Sequence, residues 1–186
     1  MSREEDTRDL DRFEQLLEDG LLKICSGAGL LPGELVRNPD LDALWDVYIK
    51  DYIADAVVNF NEYPEAALAW AGFLGLGTAW AWDADWQQYK DRPYRKWYGA
   101  RGWDDMDEHI LRDLLGLPLD GDEARKISSV LQSCAVATLG LFRHEQVETD
   151  TSLGFYALSR AYTVMYRIGA GIELKRLKYR KVAINA

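Results

Sequence analysis

The chain has little of what builds stapled or metal-clamped domains: of 186 residues, two are cysteine, two histidine and five proline. Cys25 and Cys134 lie far apart in sequence and belong to no CxxC pair. Each sits among apolar residues at a helix-like position, so both read as small buried hydrophobes in a reducing compartment rather than as a disulfide framework. A basic excess is also missing. With 22 Lys and Arg against 31 Asp and Glu, the net charge is -9, and nucleic acid and anionic lipid both demand a dominant positive field. The N-terminus, MSREEDTRD, is acidic where a secretory leader is basic and then apolar, which makes the cytoplasm the expected location. No alternating strand pattern, internal repeat or interdomain linker is evident.

Apolar residues make up 48% of the chain and charged residues 28%, a balance that predicts one folded domain over residues 1–186. Its centre is marked by the run AALAWAGFLGLGTAWAW, Ala66 to Trp82, seventeen residues without a charge. A bilayer span takes about 20 apolar residues, with a range of ~17–25. This run contains three glycines and is flanked by Glu62, Glu65, Asp83 and Asp85 rather than by Lys or Arg, so a core helix is expected, not a membrane segment.

Helix signals punctuate the chain. Ser2 and Glu5 fit a capping box, followed at helical spacing by Leu10, Phe13, Leu17, Leu21 and Ile24, with a stop at Gly27-Ala28-Gly29. Asn38-Pro39 supplies an N-cap and first-turn pair for a second helix striped by Leu41, Leu44, Trp45, Tyr48, Tyr52, Ala56 and Phe60. Pro64 opens a third helix reaching about Tyr89. There Leu68, Gly72, Gly75, Ala79, Trp82, Trp86 and Tyr89 alternate spacings of four and three and share a face, while Ala66, Trp70, Phe73, Gly77 and Trp80 form a second. A helix apolar on two faces is a central one, and its glycines predict close approach of another helix backbone. Further helices are expected from Asp104 to Gly116, from Asp120–Asp122 through Phe142, and from Thr151 or Ser152 onward, the last with a kink at Gly169 and Gly171. The predicted fold is all-α: a bundle of about six helices around a central Trp- and Gly-rich one.

Three features bear on function. Asp104, Asp105, Asp107 and Glu108 with His109 are the densest set of potential hard-metal ligands, suited to Mg2+ or Mn2+. The stretch Asp104-Asp105-Met106-Asp107-Glu108 resembles the aspartate-rich motif of prenyl and terpene synthases over those five residues alone. The chain is too short for that fold and carries no second metal motif, so that family is excluded. Acids at a helix start also answer its dipole without any metal. His144-Glu145-Gln146-Val147-Glu148 has a glutamate where a zinc protease needs its second histidine. Finally, Lys90 to Trp103 interleaves Arg95 and Arg101 with Trp97 and other rings, a mixture suited to a phosphorylated ligand or to a structural loop with stacked arginines.

No complete catalytic set is present, and no cofactor is implied. The leading expectation is a non-enzymatic protein that works by association, with itself or with a protein partner. It rests on the tryptophan excess and on the opposite charge of residues 1–20 (eight acids, three arginines) and 167–186 (six Lys and Arg, one Glu). The second is a metal-dependent hydrolase or binder of a phosphorylated or nucleotide ligand, using Asp104, Asp105, Glu108 and His109 with Arg95 and Arg101. The third is an aromatic pocket for a small apolar or cationic ligand at Trp82, Trp86 and Trp97.

Overall fold

In the computed structural model, which describes residues 3–178, six α-helices follow one another in an all-helical bundle. They are α1 (Arg3–Gly27), α2 (Pro39–Phe60), α3 (Pro64–Tyr89), the single turn α4 (Met106–Glu108), α5 (Asp122–His144) and α6 (Ser152–Arg176). Among the described residues the only β pairing is one bridge between Gly99 and Gly102. Ser2, and with it the capping box, lies outside the described residues, as does the tail 179–186.

The starts of α2 and α6 follow from local chemistry. Asn38, nearly buried at 3% exposure, accepts the amides of Asp40 (2.9 Å) and Leu41 (3.3 Å), which satisfies two of the orphan donors at the start of α2. Thr151 does the same for Gly154 at α6.

The central rod is α3, and its closest partner is α6. A Cβ placed on Gly75 would fall on the carbonyl of Tyr166, and one on Gly169 on the carbonyl of Gly72. The two backbones therefore touch where both helices carry glycine, which compensates the helix propensity those residues forgo. Unlike the expected kink, α6 runs unbroken through Gly169 and Gly171, because both are used for close approach rather than for bending. Around this crossing, Tyr166 stacks on Trp45 at 4.6 Å. Its hydroxyl meets Thr78 and donates to the Leu41 carbonyl at 2.9 Å, so α2, α3 and α6 meet at one buried polar chain.

Two expectations need correction. The helix α3 is not continuous to Tyr89: Asp85 leaves helical geometry at φ -166°, ψ 83°. Its carboxylate accepts the Gln88 amide at 3.3 Å, so Asp85 caps a separate last turn, while Trp86 still packs with Trp82 against Leu41, Ala79, Ala170 and Leu174. The helix expected from Asp104 is a composite instead: a 3-10 turn at Trp103–Asp105, then α4, then a π-turn at His109–Leu114.

The acidic face of α1 is paired inside the fold. Glu14 accepts from both Arg160 and Arg167 of α6, Asp11 takes a second contact from Arg160 at 2.8 Å, and Glu18 lies 3.7 Å from Arg167. Part of the charge asymmetry between the chain's ends is thus met by helix packing.

Candidate functional site

The segment 90–109 is built against the bundle rather than around an opening. Tyr94, Trp97 and Met106 are buried. The Trp97 indole donates to the Tyr48 hydroxyl at 2.9 Å, and that hydroxyl donates to the Arg92 carbonyl. Arg92 lies over the rings of Trp97 (4.9 Å) and Tyr89 (5.5 Å). Arg95 pairs with Asp55 of α2 at 3.1 Å, and the Tyr98 hydroxyl donates to the same carboxylate. Burial, reinforced by Asp55, pushes the Tyr98 phenol up to about 12.

Arg101 grips Asp105 through its guanidinium (2.6 Å) and its own amide (3.0 Å), holding that carboxyl below its usual range. Glu108 lies 3.7 Å from the same guanidinium, and His109 binds Asp113 at 3.0 Å. The expected metal ligands thus have protein partners at three of four positions. Among the described residues, no three His, Cys, Asp or Glu side chains are gathered to hold an ion. Trp82 donates to Asp40 at 3.0 Å from the far side of α3, while Trp97 is sealed. Trp82, Trp86 and Trp97 therefore form no shared open pocket: a fully buried Trp97 leaves no ring face for a ligand.

The tryptophans are held inward generally. Trp45 and Trp97 are buried, and the other five are half-buried. The largest exposed apolar side chains are instead Val47 and Val58 on α2, Tyr63 before α3, and Tyr156 on α6.

A cleft of about 420 Å³ opens at the other end of α3. Ala66, Ala69, Trp70 and Phe73 line it from one face of that helix, the alanines leaving the room that the rings border. Glu62, Tyr63, Pro64 and Glu65 form its rim at the helix start. Asp107 of α4 closes one side, and Ser128 and Gln132, one turn apart on α5, close another. The Trp70 indole N–H is committed to the Trp103 carbonyl at 2.7 Å, and its ring meets Phe73 edge-on at 5.5 Å. Trp103 also tilts against that ring at 5.8 Å, and the part of the indole left uncovered borders the cleft.

Asp107 is half-buried, and its carboxyl is raised above the ordinary range by burial, with the neighbouring Glu108 and Asp105 carboxylates acting in the same direction. Among the described residues no Lys, Arg or His forms an ion pair with Glu62, Glu65 or Asp107, and none lines the cleft. Backbone amides of Glu108 and of Asp107 itself oppose that rise, so the carboxyl has backbone donors but no side-chain cation beside it. A broader depression of about 840 Å³ near the end of α5 mixes Arg143 with Glu148 and Asp150 and has no comparable bias of charge.

Sequence reasoning reaches half of this cleft. Trp70, Phe73 and Ala66 belong to the second apolar face of α3, and Asp107 belongs to the acidic set, although the metal-dependent expectation draws on Asp104, Asp105, Glu108 and His109 instead. The missing signal is tertiary: α5 must pack beside α3 before Ser128 and Gln132 can face Asp107. Comparison with protein-family models, with curated proteins and with solved structures finds no match. No helix of the described residues is long and apolar enough to cross a membrane.

Proposed function

We propose that the protein is a non-catalytic binder of a small organic cation, an amine or quaternary ammonium, in the cleft between the start of α3, α4 and α5. One observation carries the reading. The cleft joins three carboxylates, no lining cation and the rings of Tyr63, Trp70 and Phe73 in a volume of about 420 Å³. Ligand sites commonly enclose ~300–1,000 Å³. A cation over an aromatic face gains ~0.5–1 kcal/mol when exposed and ~2 when desolvated. Asp107 would add a charge-assisted contact and receive the countercharge it lacks, with Ser128 and Gln132 available for a ligand's polar end. The reading is preferred to association through tryptophans because no indole lies on open surface, and because acids of α1 already pair with arginines of α6.

Titration calorimetry with choline, spermidine and tetramethylammonium tests it, alongside 3,3-dimethylbutanol as the uncharged counterpart of choline. Binding is expected for at least one cation and not for the alcohol. Asp107→Asn should weaken it about tenfold or more, given the ~1.5–3 kcal/mol of a hydrogen bond to a charged group. Because Asp107 must ionise to pair, affinity should rise with pH through its titration. Equal affinity for the alcohol, or no heat from any cation, refutes the reading.

A further inference from the structure

Cys25, in the last turn of α1, and Cys134, in the middle of α5, place their sulfurs 3.7 Å apart although 109 residues separate them. Both side chains are fully buried in the main hydrophobic core, and both thiols are free. A disulfide bond is ~2.05 Å long, so closure asks for a sulfur displacement of under ~2 Å between helices already packed together. A buried cysteine serving only as a small hydrophobe has no need to face the single other cysteine of the chain. The pairing spans two elements, so oxidation would tie the N-terminal helix to the body of the bundle.

We propose that Cys25 and Cys134 are a redox site, converted by a hydroperoxide into an intramolecular disulfide that staples α1 to α5. The Cys25 thiol is lowered by its hydrogen bond with Cys134, while the Cys134 thiol is raised by the same contact and by burial. Cys25 lies in the last turn of α1, where fraying of the helix end exposes its sulfur before that of Cys134 in mid-α5, and this position makes Cys25 the nucleophile. Its thiolate attacks one peroxide oxygen, the O–O bond breaks, and the leaving oxygen takes a proton to become water (or an alcohol), which leaves Cys25 as a sulfenic acid. The Cys134 sulfur then attacks that sulfur, the S–O bond breaks, and the hydroxyl departs as water with the Cys134 proton. Two thiols and one hydroperoxide give one disulfide and two hydroxyl products, and two electrons pass from the sulfurs to the peroxide. Both sulfurs are enclosed, so a small peroxide entering on local opening of α1 is favoured over a bulky disulfide such as oxidised glutathione.

The test treats the full-length protein with hydrogen peroxide and maps its peptides without reduction. The expected product is a Cys25–Cys134 cross-link within one chain, formed at a rate independent of protein concentration and reversed by dithiothreitol. Closing a loop of this length should raise Tm by roughly 10 °C. In Cys134→Ser, Cys25 should persist as a sulfenic acid trapped by dimedone, whereas in Cys25→Ser the remaining thiol should stay reduced. Oxidised glutathione should give no cross-link in the same time. Two free thiols in the denatured, peroxide-treated protein, or cross-links only between chains, overturn the proposal. So does dimedone labelling of Cys134 in place of Cys25.

Discussion

Glu173, one turn before the end of α6, is 1% exposed, and substitution by glutamine, which keeps its shape and removes its charge, should stabilise the protein in a pH-dependent way. Burial pushes its carboxyl up from 4.5 to about 7. Arg176 opposes that rise through an ion pair, while Glu123 of α5 and Asp83 of α3 add to it. The native state therefore keeps a proton that the unfolded chain releases between pH 4.5 and about 7. Stability contributed by this group is full below that window and is lost as pH rises through it. From 4.5 to about 7 is roughly a 300-fold difference in proton affinity, equivalent to about 3 kcal/mol. Glu173→Gln should leave unfolding free energy near wild type at pH 4.5 and raise it by about 2–3 kcal/mol at pH 8. The amide oxygen of the variant can still accept from Arg176, and Arg176 keeps Glu123 at 2.7 Å, so no cation is stranded. Urea unfolding of both proteins at about pH 4.5, 6 and 8 measures the difference, from which other titrating groups cancel. If the variant is destabilised equally at every pH, the carboxylate is held ionised by Arg176 and the reasoning fails.

Gly169→Ala should destabilise by about 3 kcal/mol or prevent folding, since its methyl would meet the Gly72 backbone rather than a movable side chain. Gly140→Ala in α5, where nothing lies within 4 Å, should instead stabilise by up to ~1 kcal/mol. Urea midpoints of the pair test whether space or propensity decides; equal effects would remove the close-approach account of α6. Asn38→Ala should cost about 1–2 kcal/mol by leaving the Asp40 and Leu41 amides without their acceptor. The loss should appear as faster amide exchange confined to the first turn of α2, and uniform exchange along that helix would contradict it.

Features governed by neighbours in sequence were legible before the structure. Asn38-Pro39 and Pro64 begin helices, and Gly72 and Gly75 of α3 do meet another backbone, while Gly77 makes room for the Ile110 side chain. What the sequence hid depends on partners brought from afar. Arg95 and Tyr98 look available in a basic loop, yet Asp55 meets both from α2. Trp97 resembles a surface anchor until Tyr48 and Arg92 enclose it. Asp85 reads as one more helical residue because the pattern around it is periodic, and only its capping of Gln88 breaks the rod. The acidic stretch shows the same limit: local spacing names its carboxylates, but whether each meets Arg101 or an open cleft is set by packing.

The contact of bare backbone between α3 and α6 has a consequence for how the cleft could adapt to the cation proposed for it. One wall belongs to a helix clamped at its midpoint with no side chain to compress, so that wall behaves as an anvil. The opposite wall carries Asp107 beside the π-turn His109–Leu114, where Met106, Ile110 and Leu111 are buried and Ile110 packs on Gly77 of α3. Both walls are thus anchored in the core, and any adjustment to the size of the proposed guest should come from the exposed rim, Glu62, Tyr63 and Glu65.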